Sequence, residues 1–320
     1  MKAILSYTFV SYISEEQEHF AYAEKHLKEQ IGKTSTFSFP SSLISFLDLD
    51  IDSIAPLFKK VSDVLWSLTT TRDEKYADEA ISILEGLSAR HIYFQFLLLD
   101  WKLRIGHAII YGDYTENLLQ RSALLQMANT LRRMQQLISE VFAPVVDIDS
   151  GDEPSLKRMA VYYAEEGDHF TFSALPLRFD LIAPETFAEV LVPESVYHLI
   201  DYALRECVQR EVRIRRCKNC GRWFAITGRS SAEYCDRPYD ERGRTCREVG
   251  AVKVWAKNKK GDMVFAAYRK EYKKRHARIR AGKLDPEELY AWGTMAREKM
   301  KEVDGEKFTL GDFETWLKGS

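Results

Sequence analysis

The chain has 320 residues, of which 45% are hydrophobic, 29% charged and 12% aromatic, and its formal net charge is −2. That profile excludes a disordered chain, which needs low hydrophobicity and high net charge, and the length leaves room for two domains or for one with appendages. The longest apolar stretch, 92–99, is interrupted by Gln95 and closed by Asp100, far short of the roughly 20 apolar residues that cross a bilayer, so neither a span nor a membrane partner is expected.

Charge is distributed unevenly. Residues 1–204 hold 17 Lys and Arg against 30 Asp and Glu, a net −13, whereas 205–280 hold 23 against 9, a net +14. An acidic body therefore carries a basic module.

The N-terminal stretch MKAILSYTFVSYISEEQE has one Lys and no small-residue cleavage site, so it reads as a first strand of a cytoplasmic protein. Helical spacing follows over 54–68, 76–87 and 91–110, the last with Phe94, Leu97, Leu98, Trp101 and Ile105 on nearly every side, as in a central helix. Over 117–142, Leu124, Met127, Leu131, Met134, Ile138 and Val141 alternate steps of three and four, the seam of packed helices. A helical N-terminal domain is expected over 1–150, serving to sense, to dimerise or to bind a protein partner. The aperiodic, acidic PVVDIDSGDEP at 144–154 reads as a linker or exposed loop. From 151 to 212 a small sheet and a connecting helix are predicted: Phe170, Phe172, Leu177, Phe179 and Leu181 alternate with polar residues such as Arg178 and Asp180, and 195–213 returns to helical spacing.

Four of the five cysteines lie within 30 residues: Cys217 and Cys220 as C-x2-C, then Cys235, then Cys246. Two thiolates across a tight knuckle already define one edge of a tetrahedron, so the pattern predicts one structural Zn2+ in a module spanning 213–258. Disulfides are the alternative, disfavoured in a reducing cytosol. Gly221 supplies the positive φ of a tight reversal, a hairpin is expected over 223–227 turning through Gly228, and Thr245-Cys246-Arg247-Glu248 is a capping box that puts Cys246 in a first helical turn. Knuckle, hairpin and ligand-bearing helix make a treble-clef-like arrangement. The four thiolates leave the site at −2, and Arg215, Arg216, Lys218, Arg222 and Arg247 are the nearby offset. Cys207 reads as a small buried hydrophobe, and Trp223, Phe224 and Tyr234 as the module's miniature core.

The stretch RRCKNCGRWFAITGRSSAEYCDRPYDERGRTCREVGA resembles the zinc-finger segment of uncharacterised bacterial proteins in which an aromatic-rich CxxCG knuckle precedes a C...C pair and a basic helix. It is more distantly similar to the CGNR-type bacterial zinc fingers. The resemblance covers about residues 205–260 and implies nucleic-acid binding.

Beyond the cysteines, 261–282 reads as one amphipathic helix with Phe265, Tyr268, Tyr272 and Ile279 along its apolar stripe, and Asp285-Pro286-Glu287-Glu288 is a helix start within the basic and C-terminal helices of 259–320. Arg222, Arg247, Lys253, Lys257, Lys259, Lys260, Arg269, Lys270, Lys273 and Lys274 form the candidate contact set for DNA or RNA phosphates. A protein-interaction adaptor docking the basic module on an acidic partner is a different reading, and a metal-dependent nuclease a further one. The nuclease lacks a histidine between 217 and 246, and Asp236, Asp240 and Glu241 serve equally as partners of Arg237, Arg242 and Arg244. A recombinase tyrosine at 268 or 272 lacks its Arg and His companions, and His19, His26, His91, His107, His169 and His198 are scattered without ligand spacing. No catalytic residue is assigned. The fold expected is mainly α with a small β component: a helical N-terminal bundle, then the zinc module, then C-terminal helices.

Overall fold

Phe9, Ser11 and Ile13 are buried while their neighbours are not, the two-residue period of a strand with one covered face. They belong to β1 (Ser6–Ser14) in a computed structural model that describes residues 6–26, 30–166, 172–183, 185–258, 262–304 and 308–320. Strands β2 (Gln17–Lys25) and β3 (Gln30–Ser38) follow as consecutive antiparallel hairpins registered Ser6↔Lys25 and Gln17↔Ser38. Glu15 and Glu16 make the first turn at φ 49 and 62, the left-handed pair that matches the twist of a two-residue hairpin.

Helices take over at α1 (Ser41–Leu47) and continue through α2 (Ile51–Thr71), α3 (Lys75–Ser88) and α4 (Tyr93–Tyr111). The Asp50 side chain starts α2 by accepting the Asp52 and Ser53 N–H groups that no earlier turn can satisfy. On α4, Phe94, Phe96, Leu97, Leu98, Leu99, Trp101 and Ile105 are all buried, which makes it the central helix its sequence predicts. Short α5 (Glu116–Leu119) leads to α6 (Arg121–Leu137), whose Leu124, Met127 and Leu131 form the buried seam. A π turn at Ile138–Phe142 passes into α7 (Ala143–Val146), and α8 (Ser155–Glu166) follows. Val145 and Val146 are 4% and 1% exposed, so the expected linker at 144–154 begins instead inside the core. The proline at its start misleads, because Pro144 follows the π turn in continuous helical backbone and does not break it.

Strands β4 (Leu177–Ala183) and β5 (Thr186–Leu191) complete one antiparallel sheet in the order β3-β2-β1-β5-β4. The predicted alternation is thus strand from Leu177 on; His169 and Phe170 lie outside the described residues. The sheet's greater part lies within residues 6–38, so the helical expectation for 1–150 applies only from Ser41. The predicted connecting helix is α9 (Val196–Gln209), and β6 (Ile214–Arg216) pairs with β7 (Trp223–Ala225). Then come α10 (Cys246–Asn258), α11 (Met263–Arg280), α12 (Pro286–Asp304) and α13 (Leu310–Gly319). The chain is mainly helical with a smaller β part, and among the described residues no helix is long and apolar enough to cross a membrane.

Contacts divide the chain into two units: Met1–Arg216 with Arg222–Ala232, and Cys217–Gly221 with Glu233–Ser320. The first has a single large core that takes in Ile214 and Trp223. The second has its own core of Leu289, Trp292, Ala296, Phe313 and Leu317, against which Val264, Ala267, Tyr268 and Ile279 of α11 pack.

Candidate metal centre

The knuckle forms because Gly221 takes φ +74 and its N–H reaches back to the Cys217 carbonyl at 2.8 Å. Lys218 N–H bonds to the Glu233 carbonyl at 3.0 Å, which lays the knuckle beside the segment entering Cys235. From Cys235 the chain turns back on itself: Cys246 N–H bonds to the Arg237 carbonyl, Tyr239 N–H to the Arg244 carbonyl and Arg247 N–H to the Cys235 carbonyl. The hairpin expected at Gly228 is therefore placed differently. Trp223–Ala225 pairs backwards with Ile214–Arg216 across the knuckle, and the reversal between ligands turns through Gly243 at φ +73.

Helix α10 starts at Cys246 through the capping box. Glu248 N–H donates to Thr245 Oγ1 at 3.3 Å, and Thr245 N–H donates to Glu248 Oε2 at 2.6 Å. Each reversal contributes one or two sulfurs, and the ligand atoms of Cys217, Cys220, Cys235 and Cys246 all lie within 4.8 Å of one another.

The donor set fits a tetrahedral metal. Cys220 Sγ and Cys235 Sγ are 3.7 Å apart. A tetrahedron of thiolates at 2.3 Å from zinc has edges of about 3.8 Å, whereas a disulfide needs about 2.05 Å. All five cysteines are free thiols, with Cys217, Cys235 and Cys246 buried. Donors surround the sulfurs as they would thiolates: Cys235 N–H points at Cys217 Sγ at 3.4 Å and Asn219 Nδ2 at Cys246 Sγ at 3.3 Å. Burial pushes the Cys217 thiol up, but the amides of Cys220, Cys235 and Asn219 outweigh it and draw it down to about 7. Burial, joined by the neighbouring Cys217 and Cys220, pushes Cys235 up to about 12. Sulfurs this close repel one another as anions, so a full set of thiolates needs a cation among them.

Two residues outside the predicted set shape the second unit, one beside the cysteines and one in its C-terminal core. Gly250 lies on α10 where a Cβ would come within 2.2 Å of the Tyr234 ring, so the bare helix face seats the aromatic residue next to Cys235. Arg275, 9% exposed, lies on the apolar side of α11 over the Trp292 ring at 4.5 Å and donates to the Leu317 and Ser320 carbonyls at the end of α13. The first signal was legible as a glycine inside a helical pattern. The second was hidden, because a charged residue on an apolar stripe looks like a gap in it.

The predicted contact residues separate into three groups. Near the cysteines, charges are matched: Arg247 pairs with Asp236 at 2.5 Å, Arg244 with Asp240 at 2.7 Å and Lys218 with Glu233. Arg215 pairs with Asp149 at 2.6 Å and Arg216 covers the Trp223 ring, both within the first unit, to which Arg222 also belongs. Lys253 sits over the Tyr239 ring at 4.0 Å. On α11, Arg269, Lys270 and Lys273 are exposed and, among the described residues, make no ion pair, while Lys274 pairs with Glu271 at 3.0 Å. Lys259 and Lys260 lie outside the described residues, as does the Lys257 side chain.

The apolar stripe of α11 is shifted from the predicted one. Tyr268 stacks on Trp292 at 5.7 Å, but Phe265 meets Trp255 of α10 edge-on at 5.1 Å instead of entering the core. That contact joins the helix begun at Cys246 to the basic helix.

Away from the cysteines, Ser45 Oγ lies 2.9 Å from His91 Nε2 beside a cavity of about 390 Å³. His91 Nδ1 accepts the Tyr93 N–H at 3.2 Å, which leaves the ring proton on Nε2. The ring therefore donates here and does not take a proton from Ser45, so the pair lacks the arrangement of an activated serine.

Residues 181–317 match the model of a family of unknown function, DUF6076. The match takes in all four clustered cysteines and α11. No curated protein and no solved structure matches the chain. The comparisons attach neither a CGNR-type likeness nor a bacterial source to it.

Proposed function

We propose that the second unit is a zinc-organised nucleic-acid-binding module, with the acidic N-terminal part of a regulatory or accessory factor attached to it. Cys217, Cys220, Cys235 and Cys246 hold the ion. With four protein thiolates the site is closed, so the metal's chemistry is structural: it fixes the knuckle, the reversal and the first turn of α10 against one another. Through Trp255 and Phe265, α10 then sets the position of α11.

The observation that carries the reading is the outer face of α11. Arg269, Lys273, His276 and Arg280 recur at four, three and four residues, which places them along one line of the helix, with Lys270 beside it. All five are exposed, and among the described residues none makes an ion pair. The four Lys and Arg among them suit a phosphate backbone, whose condensed counterions they displace. Asp236 and Asp240 are engaged by Arg247 and Arg244, which leaves the nuclease reading without free carboxylates at those two positions.

Fluorescence anisotropy with labelled DNA and RNA oligonucleotides, single- and double-stranded, over a range of salt concentrations tests this. Four Lys and Arg contacts give a slope of log affinity against log salt of about −3 to −4 on a duplex, and Arg269→Ala with Lys273→Ala removes about two from its magnitude. Salt-independent binding, or a slope that the double substitution leaves alone, contradicts the proposal. Absence of binding to every oligonucleotide favours docking on an acidic protein instead.

A further inference from the structure

Among the described residues, no strand pairs with the outer edge of β4, and one face of that edge is apolar. Strand β4 is the outermost of the five, and its residues Leu177, Phe179 and Leu181 are 39%, 76% and 54% exposed on one face, continued by Phe187 at 71%, the cross-strand partner of Leu181. At the opposite edge β3 carries Lys33 and a run of Thr and Ser, the ordinary guard against unwanted pairing. Strand β4 instead confines its charges, Arg178 and Asp180, to one face and leaves the other apolar.

The open edge also has a polarity that can be read. Val192 N–H bonds to the Pro176 carbonyl, so residue 176 points its backbone groups toward β5, and by alternation 177, 179 and 181 point theirs outward. Consistently, Leu181 N–H is taken by its neighbour's Asp180 Oδ1 at 2.9 Å instead of by a strand. On the face away from the apolar side chains, Arg178 and Asp180 pair with each other at 2.7 Å and remain 55% and 43% exposed.

We infer that β4 pairs antiparallel with β4 of a second copy of this chain, about a two-fold axis at Phe179. The sequence Leu177-Arg178-Phe179-Asp180-Leu181 is self-complementary in that register alone. Phe179 meets Phe179, Leu177 meets Leu181, and Arg178 of each copy lies directly across from Asp180 of the other. Phe179 forms the central hydrogen-bonded pair, the Leu177 and Leu181 N–H groups exchange the Leu175 carbonyl and Asp180 Oδ1 that hold them at 2.9 Å for the ladder, and the charged residues fall at the closer, non-hydrogen-bonded positions. The irregularity between Leu181 and Ala183 ends the ladder where the palindrome ends. A strand of unrelated sequence could satisfy the backbone, but not the reciprocal charge pattern.

Sedimentation velocity on the full chain, under reducing conditions at micromolar concentration, decides it. The wild type sediments as a dimer. Arg178→Asp places acid against acid and Asp180→Arg base against base, so each variant alone self-associates roughly tenfold or more weakly. Mixed one to one, the two variants form a heterodimer, and the double variant carrying both changes dimerises again. Arg178 is exposed and Asp180 half-buried, and unchanged far-ultraviolet circular dichroism checks that the fold is retained. A monomeric wild type overturns the inference, as does a dimer indifferent to both single substitutions or a mixture no more associated than its components.

Discussion

Glu18 is 2% exposed, and both of its carboxyl oxygens are taken by Ser42, one by the amide and one by the hydroxyl, each at 2.5 Å. Burial outweighs those donors and raises its pKa from the ordinary 4.5 to about 7, with Tyr93, Cys207 and His91 the titratable groups around it. Below pH 4.5 the proton is bound in folded and unfolded chains alike, and the stability it supports is fully present. Between 4.5 and 7 only the folded chain keeps the proton, so stability falls as pH rises, and above 7 the loss is complete. The difference of about 2.5 units corresponds to roughly 3 kcal/mol. Urea unfolding of wild type and Glu18→Gln at pH 5 and pH 8 measures most of it: the wild type loses roughly 2.5 kcal/mol more than the variant, and parallel pH dependence in the two contradicts the assignment. The same residue explains why β2 was not legible in the sequence. A carboxylate at an inward position breaks the apolar alternation, and a reader has no warning that Ser42, 24 residues on, will satisfy it.

At the scale of elements, the strongest local signals held and the ambiguous ones failed for identifiable reasons. The capping box at Thr245 and the Asp285-Pro286 start of α12 depend only on neighbours in sequence, and both form as read, with Glu287 N–H donating to Asp285 Oδ1 at 2.8 Å. Strand β3 was missed because an exposed, polar edge strand has no apolar period to detect. The hairpin was placed on the wrong side of Gly228 because Trp223 and Phe224 attract either neighbour, and the choice was made by the first unit's core, which claims Trp223. Helix α10 supplies its own test. Gly250→Ala puts a methyl against the Tyr234 ring, an overpacking of about 1–3 kcal/mol that exceeds the gain in helix propensity and is relayed to Cys235. Metal release to a chromogenic chelator is correspondingly faster in Gly250→Ala, and adding Tyr234→Ala restores it. Release at the wild-type rate in the single variant removes Gly250 from the site's support.

For the molecule as a whole, the uneven charge read from the sequence survives, but its meaning narrows. Much of the positive excess is matched locally, by Asp236, Asp240 and Glu233 around the cysteines and by the α13 carbonyls at Arg275, while Arg269, Lys270, Lys273 and Arg280, which make no ion pair among the described residues, share the outer face of α11. A charge count has no access to that distinction, since it depends on which side chains the fold brings within reach. The four-cysteine cluster was legible because thiolate chemistry leaves a spacing in the sequence. The order proposed around the cysteines, of the knuckle, the reversal and the first turn of α10, depends on the ion they would hold, which contributes on the order of 10–16 kcal/mol in comparable small modules. Elemental analysis of full-length protein, purified under reducing conditions without chelators or added metal, tests this most directly. The account predicts about one zinc per chain in the wild type and loss of stoichiometric zinc in both Cys220→Ala and Cys235→Ala. Metal-free wild-type protein with its thiols reduced, or full zinc content in either variant, contradicts it.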